Sequence, residues 1–315
     1  MKTIIFIILL GLGFNAFGQQ FNPEPTVFGE GSISSRDFEF NASFTPDGKT
    51  VYFSKSLLPD FRRISIVSST FKNGKWGMPK LASFSGRFRD ADPILTDNGN
   101  RLIFISDRPS PIKSDTSNYN LWFVDKTKSG EWGEPKHLMG DFYKTTPYPV
   151  YPSVAASGNL YYSSGNAKDS EIYLARKTES GYGSAEKLSF NLSSERDIDP
   201  VISPDETFII FSSSTRKGMG GSDLWVSFYE QGKWEEPINL GKAINSPTNE
   251  GQAALSHDGK RLYFTSIRNK SQLRGPRERK INQQTFDQEF KTIFNGIPNI
   301  WVADISNLRV LGPAH

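Results

Sequence analysis

No cysteine occurs anywhere in the 315-residue chain, which removes disulfides, thiol nucleophiles and cysteine-ligated metals from consideration. Histidine is almost as scarce. Its three copies, His137, His257 and His315, stand far apart, so neither a histidine-ligated metal nor a Ser-His-Asp triad is expected. Long apolar runs are missing as well, and without a stretch of ~18 to 20 apolar residues no spanning helix is expected. A formal net charge of +3 is too small a balance to point to nucleic acid or another polyanion. Helical periodicity is rare, whereas the chain holds 27 glycines, 19 prolines and 13% aromatic residues. That combination points to an all-β domain whose core holds without covalent staples.

What is present begins with MKTIIFIILLGLGFNAFG: one lysine, an apolar run from Ile4 to Gly13, then Ala16 and Gly18 at small-residue positions. Residues 1–18 read as a secretory signal peptide. The remainder, 19–315, is then one exported domain, periplasmic or extracellular, with no membrane insertion. No cysteine follows the cut to carry a lipid.

Five copies of one pattern fill that domain. Each carries a turn and an aromatic-anchored strand: Phe53 in TPDGKTVYFS, Phe104 in TDNGNRLIFIS, Tyr162 in ASGNLYYSS, Phe211 in SPDETFIIFSS and Phe264 in SHDGKRLYFTS, separated by 51, 58, 49 and 53 residues. A following strand recurs as RRISIVSS, YNLWFVDK, SEIYLARK, SDLWVSFY and PNIWVADI. Four strands per copy at a period near fifty residues predict a single β-propeller. Five four-stranded blades are expected, the last completed by Pro25 to Gly31, PTVFGEG, from the N-terminus. A sixth blade would have to come from NLRVLG near the C-terminus.

The turn, the apolar-aromatic strand, Ser-Ser, the Gly-rich turn and Asp-Leu-Trp resemble the TolB-like propeller repeat. The strings GMGGSDLWVS, GKWEEPINLG and INSPTNEG are similar to the form of that repeat found in exported and envelope proteins of Bacteroidetes. Asp97-Asn98-Gly99 and Ser157-Gly158 depart from its Pro-Asp-Gly turn. The resemblance implies a binding or scaffolding module without a common enzymatic activity.

Registering the copies places Glu39, Asp90, Pro149, Asp197 and Glu250 at one equivalent position at the mouth of the channel. Asn41, Asp92, Tyr151, Asp199 and Gln252 follow two residues later, on the same side of an alternating strand. A ring of acids suits a cation, a polar ligand or the paired carboxylates of a glycoside hydrolase. It equally suits turn formation and pairing with nearby arginines. Tyr148 and Tyr151 interrupt the ring with aromatics fit for stacking on a sugar or a peptide, or for packing their own loop. Loops on the same face bring Arg108, Arg216 and Arg268. The last opens an insertion, 268–299, with an excess of four positive charges and a Phe286, Phe290, Ile293, Phe294 spacing that predicts a short amphipathic helix. Trp76, Trp132 and Trp234 fall on the opposite face and are expected to pack between blades.

The function expected from these features is a non-catalytic binding or scaffold propeller, a monomer, that recognises an envelope or secreted protein, a peptide or a glycan. Its candidate site comprises Glu39, Asp90, Asp92, Tyr148, Tyr151, Asp197, Asp199, Glu250, Arg108, Arg216 and Arg268. No catalytic residue, metal or cofactor is assigned, a structural calcium being the one alternative. The competing function is a carbohydrate-active enzyme using carboxylates at the axial pocket.

Overall fold

The computed structural model describes residues 21–57, 62–111, 119–146, 148–165, 169–191, 195–268, 280, 282–284, 287 and 297–311. The expected signal peptide, His315 and most of the basic insertion, including its expected helix, lie outside the described residues.

Strand β1 (Thr26–Val27) is followed by blade one, which contains β2 (Phe38–Phe44), β3 (Thr50–Ser56), β4 (Ile64–Lys72), β5 (Lys75–Trp76) and β6 (Lys80–Leu81). Blade two is β7 (Asp90–Thr96), β8 (Arg101–Ser106), β9 (Asn120–Asp125) and β10 (Lys136–His137). Blade three is β11 (Val150–Val154), β12 (Leu160–Gly165), β13 (Ser170–Thr178) and β14 (Gly181–Lys187). Blade four is β15 (Asp197–Ile202), β16 (Phe208–Ser213), β17 (Asp223–Glu230), β18 (Lys233–Trp234) and β19 (Ile238–Asn239). Blade five takes β20 (Glu250–Leu255), β21 (Arg261–Ser266) and β22 (Asn299–Asp304) from the C-terminal part of the chain. All neighbours pair antiparallel, and β1 supplies the fourth strand of blade five by pairing with β22, Thr26 opposite Val302.

The ring therefore has five blades, closed by the N-terminal strand. Leu308–Leu311 forms a short 3-10 turn instead of a sixth blade. Leu308 is buried in the apolar cluster that joins blades four and five, and Arg309 lies 4.9 Å from the Phe228 ring.

The core sits in the seams between blades. Strand-two aromatics Phe53, Phe104, Tyr162, Phe211 and Phe264 are all buried, because a central strand paired on both edges must satisfy its polar backbone in the sheet and its side chains in apolar contact. Trp76 packs edge-on against Phe28 at 5.4 Å, Trp132 against Tyr52 at 5.7 Å and Trp234 against Tyr161 at 6.3 Å. All three contacts span neighbouring blades, so these tryptophans are wedges in the seams. Serines stitch the inner strands: Ser43 Oγ accepts from Leu95 N at 2.8 Å, Ser54 Oγ from Asp92 N at 2.9 Å and Ser153 Oγ from Ile202 N at 3.0 Å.

A second recurring device closes the third strands. In each blade one amide at the start of that strand would lose its partner where the fourth strand has turned away, and a loop side chain accepts from it. The pairs are Ser85 Oγ with Ile66 N (3.1 Å), Tyr143 OH with Leu121 N (3.1 Å), Asn191 Oδ1 with Ile172 N (3.3 Å), Asn245 Oδ1 with Leu224 N (2.8 Å) and Ser34 Oγ with Ile300 N (3.2 Å). Three chemically different side chains, Ser, Tyr and Asn, meet one requirement, that a buried N–H be satisfied.

Candidate functional site

Every first strand contains a β-bulge. Its pairing with the second strand shifts between Phe40 and Ser43, Ala91 and Ile94, Val150 and Ser153, Ile198 and Val201, and Gly251 and Ala254. Within each bulge one non-glycine residue adopts a left-handed backbone: Asn41 (φ 50°), Asp92 (55°), Tyr151 (54°), Asp199 (54°) and Gln252 (50°). Asn and Asp tolerate this region, whereas Tyr and Gln pay for it, and such strain persists only where surrounding structure enforces it.

The bulge separates the two sets that simple alternation puts on one side. Asn41, Asp92, Tyr151 and Asp199 line a cavity on the propeller axis, and Glu39, Asp90, Asp197 and Glu250 do not.

The latter four are buried and held within the blade frame. Glu39 accepts from Ser35 N (3.1 Å), Ser35 Oγ (2.5 Å) and Lys55 Nζ (3.0 Å). Asp90 accepts from Ser85 Oγ (2.9 Å) and Arg108 Nη2 (2.9 Å). Asp197 accepts from Arg216 Nη2 (2.9 Å) and Nε (3.2 Å). Glu250 accepts from Ser246 N (2.8 Å), Ser246 Oγ (2.7 Å) and Ser266 Oγ (2.6 Å), with Arg268 Nη2 at 3.9 Å. Burial pushes the carboxyls of Glu39, Asp90 and Glu250 up, while these hydroxyls and cations pull them back.

Arg108, Arg216 and Arg268 repeat one clasp. Each guanidinium lies over the strand-two Phe and the strand-three Trp of its blade: Phe104 and Trp122 at 5.1 and 5.4 Å, Phe211 and Trp225 at 5.6 and 5.9 Å, Phe264 and Trp301 at 5.0 and 4.8 Å. Each also donates to a carbonyl of the preceding segment, Phe84 O (3.3 Å), Phe190 O (3.0 Å) or Ile244 O (2.5 Å). Blade three has Pro149 in place of the acid, and there Tyr162 OH and Thr146 Oγ1 share a hydrogen bond of 2.6 Å instead.

At the axis the chemistry differs. Asp92 and Asp199 are 2% and 7% exposed, and Asp92 Oδ2 and Asp199 Oδ1 have no hydrogen-bond partner among the described residues. Asn41 Nδ2 donates to Asp92 Oδ1, and Gln252 N to Asp199 Oδ2 at 3.3 Å. Burial pushes Asp92 up to about 8, assisted by the nearby Asp199 carboxylate, and Asp199 up to about 7. The cavity beside them measures about 20 Å³, room for one water-sized group and not for a sugar ring. Among the described residues no group of three or more His, Asp or Glu side chains is placed to hold a metal ion.

Aromatic groups surround this pair. Tyr151 is half-buried, and desolvation drives its hydroxyl far above the usual tyrosine range. Tyr119, which the sequence pattern did not single out, lies close enough to feel Asp92. Burial pushes it up to about 12 against the pull of Arg89, whose guanidinium lies 5.0 Å from the ring. Arg87 lies similarly 5.2 Å from Phe88. Tyr148 stands half-buried with φ 68°. The signal for Tyr119 was an aromatic where blades three and four carry Ser170 and Ser222. His137 and His257 do not converge on this site: His137 stacks on Tyr143 at 5.3 Å, and His257 lines a cavity of about 470 Å³ at the hairpin end of the channel.

No protein-family model matches the chain, and no curated protein does. Among solved structures, the putative TolB from Agrobacterium tumefaciens is similar over 78% of either chain, at 14% identity and a TM-score of 0.50. TolB from Acinetobacter baumannii matches 64% of this chain and 46% of its own, at 18% identity and a TM-score of 0.40. MPT-4, a mannose phosphorylase from Leishmania mexicana in complex with phosphate, matches 76% of this chain and 85% of its own, at 10% identity and a TM-score of 0.48. The fold is thus a TolB-like propeller, related at low identity.

Proposed function

We propose that this chain is an exported binding propeller, of the kind found in bacterial cell envelopes, that recognises a protein or peptide segment at the mouth formed by its strand-four-to-one and strand-two-to-three loops. One observation carries the reading. The four acids of the outer ring are committed to serines, Lys55 and the arginine clasps, so they are spent on joining segments within the propeller. The mouth also carries a rim of tyrosine and arginine, Tyr119, Tyr148, Arg87 and Arg89, the last held by Asp107 at 2.7 Å, around a buried acid pair. Tyr and Arg dominate the energetics of protein interfaces because each offers a large apolar body and a polar tip in one side chain. The basic insertion from Arg268, on the same face, would add attraction for an acidic partner.

Capture from an envelope extract tests this. The wild-type chain should retain a partner that Tyr119→Ala with Arg89→Ala loses, and deletion of Lys270 to Phe294 should weaken capture while leaving the thermal transition nearly intact. Undiminished capture by both variants would overturn the assignment of the mouth.

The enzyme reading draws support from one feature, the elevated Asp92 and Asp199 carboxyls, since a proton donor near neutral pH is what glycoside hydrolysis needs. The size of the axial cavity weighs against it. Turnover of any glycan that Asp92→Asn or Asp199→Asn abolishes would favour the enzyme.

A further inference from the structure

The wedge between blades three and four is built differently from the one between blades one and two. In the latter, Trp132 Nε1 donates to Tyr52 OH at 3.1 Å and the two rings close the seam. In the former, Tyr161 OH turns away from Trp234 and donates to Glu206 Oε1 at 2.9 Å, and the seam opens into a cavity of about 490 Å³. That volume falls within the usual range of small-molecule sites.

Glu206 is itself an exception. It occupies the turn position where blades one and five carry Gly48 and Gly259, and it adopts their left-handed backbone, φ 58° beside 65° and 68°. A side chain there is strained where glycine is not, and strain kept in a single copy of a repeat points to a use for that side chain. Asn159 Nδ2 also donates to Glu206 Oε1 at 2.9 Å, so the carboxylate bridges blade three to blade four.

The walls define the ligand. Leu174 and Leu188 are buried at the seam, and Tyr229, 44% exposed, stands with its ring 5.1 Å from that of Trp234. The charged groups balance, three cations (Arg176, Lys187, Lys233) against three acids (Glu186, Asp205, Glu206). Most are already matched: Arg176 makes a bidentate pair with Glu186 at 2.9 and 3.0 Å, Lys187 pairs with Glu171, and Lys233 lies 3.3 Å from Glu235. An ionic ligand would have to break such pairs. An uncharged polyol can add hydrogen bonds to their free lone pairs and N–H groups while its C–H face lies on an aromatic ring.

We infer that the seam between blades three and four is a binding site for a neutral saccharide, with Tyr229 as the stacking platform, Arg176 and Glu186 as hydroxyl partners, and Glu206 as the positioning residue that holds the seam open. This site is separate from the mouth and does not depend on what the mouth binds.

The test is titration of the full chain with cellotetraose, laminaritetraose, mannotetraose and chitotetraose, followed by tryptophan fluorescence and calorimetry. At least one should bind saturably, with a change in emission from Trp234. Tyr229→Ala and Glu206→Gly should each weaken that binding about tenfold or more; Tyr229→Ala should do so without lowering the melting temperature, since Tyr229 is exposed, while in Glu206→Gly the restored turn of blades one and five offsets the loss of the bonds from Asn159 and Tyr161. Tyr119→Ala at the mouth should leave it unchanged. Absence of binding by all four probes at millimolar concentration, or binding indifferent to both seam variants, would overturn the assignment.

Discussion

Arg216 grips Asp197 through Nη2 at 2.9 Å and Nε at 3.2 Å, while its guanidinium lies over Phe211 and Trp225. Both side chains are almost fully buried, at 5% and 1% exposure. Arg216→Met would leave the Asp197 carboxylate without its buried cation, an arrangement that costs ~3–5 kcal/mol when one partner of a buried pair is removed. The midpoint of urea unfolding should fall accordingly. The double variant Arg216→Met with Asp197→Leu should recover most of the loss, because the pair itself contributes little net stability once desolvation is counted.

Stability should fall as pH rises toward neutrality because of the axial acids. Asp92 and Asp199 have folded-state values of about 8 and about 7, raised above the ordinary carboxylate range. Between roughly pH 4 and 8 the folded state therefore binds more protons than the unfolded chain, so the slope of unfolding free energy against pH is negative. The contribution is fully present below the unfolded value and is lost as pH rises through the folded ones. Asp92→Asn should flatten this slope and raise stability at pH 8 by about 1 kcal/mol or more, measured by thermal melts from pH 4 to 9.

Removing one of the amide-closing side chains should expose the requirement that all five blades share. Asn245 accepts from Leu224 N at 2.8 Å and donates to Leu224 O at 2.9 Å. Asn245→Ala leaves the buried Leu224 N–H without this acceptor, while the Leu224 carbonyl keeps its bond from Leu240 N at 3.1 Å, and should cost ~1–3 kcal/mol. Hydrogen exchange should show the Leu224 amide deprotected first, ahead of the centre of β16.

The closure between the ends of the chain depends on an aromatic anchor. Phe28 follows β1 and packs at 5.5, 5.4 and 5.0 Å against Phe44, Trp76 and Tyr263, joining blades one and five. Phe28→Ala should destabilise by about 2 to 3 kcal/mol, toward the low end for aromatic truncation because the ring is half-buried. Limited proteolysis should then cut first near Thr26, as the closing strand frays.

Much of the ring was legible because its signals are local. The strand-two anchors Phe53, Phe104, Tyr162, Phe211 and Phe264 recur at a fixed place after a turn, and every blade needs one, so the period of the chain carries the blade count. The seam role of Trp132 and Trp234 was legible for the same reason, their place following the strand order. The bulges were not. Alternation treats Asp90 and Asp92, or Asp197 and Asp199, as neighbours on one side, and only a left-handed residue inside the strand sends the second toward the axis while the first stays in its clasp. Tyr119 was missed because a single aromatic before a strand reads as ordinary β propensity until the fold brings Arg89 and Asp92 beside it.

The sequence by itself determined the all-β architecture, the five copies and the use of Pro25 to Gly31 to complete the last, since each follows from hydrophobic period and turn chemistry within about fifty residues. Tertiary structure alone decided which polar groups are spent and which remain open. Ser34, Ser85, Tyr143, Asn191 and Asn245 close equivalent amides with three different side-chain types, and Glu206 opens one seam while Tyr52 and Trp132 shut another. These outcomes depend on the distance between atoms of different blades, where a buried donor must find an acceptor from whatever side chain the fold places within reach.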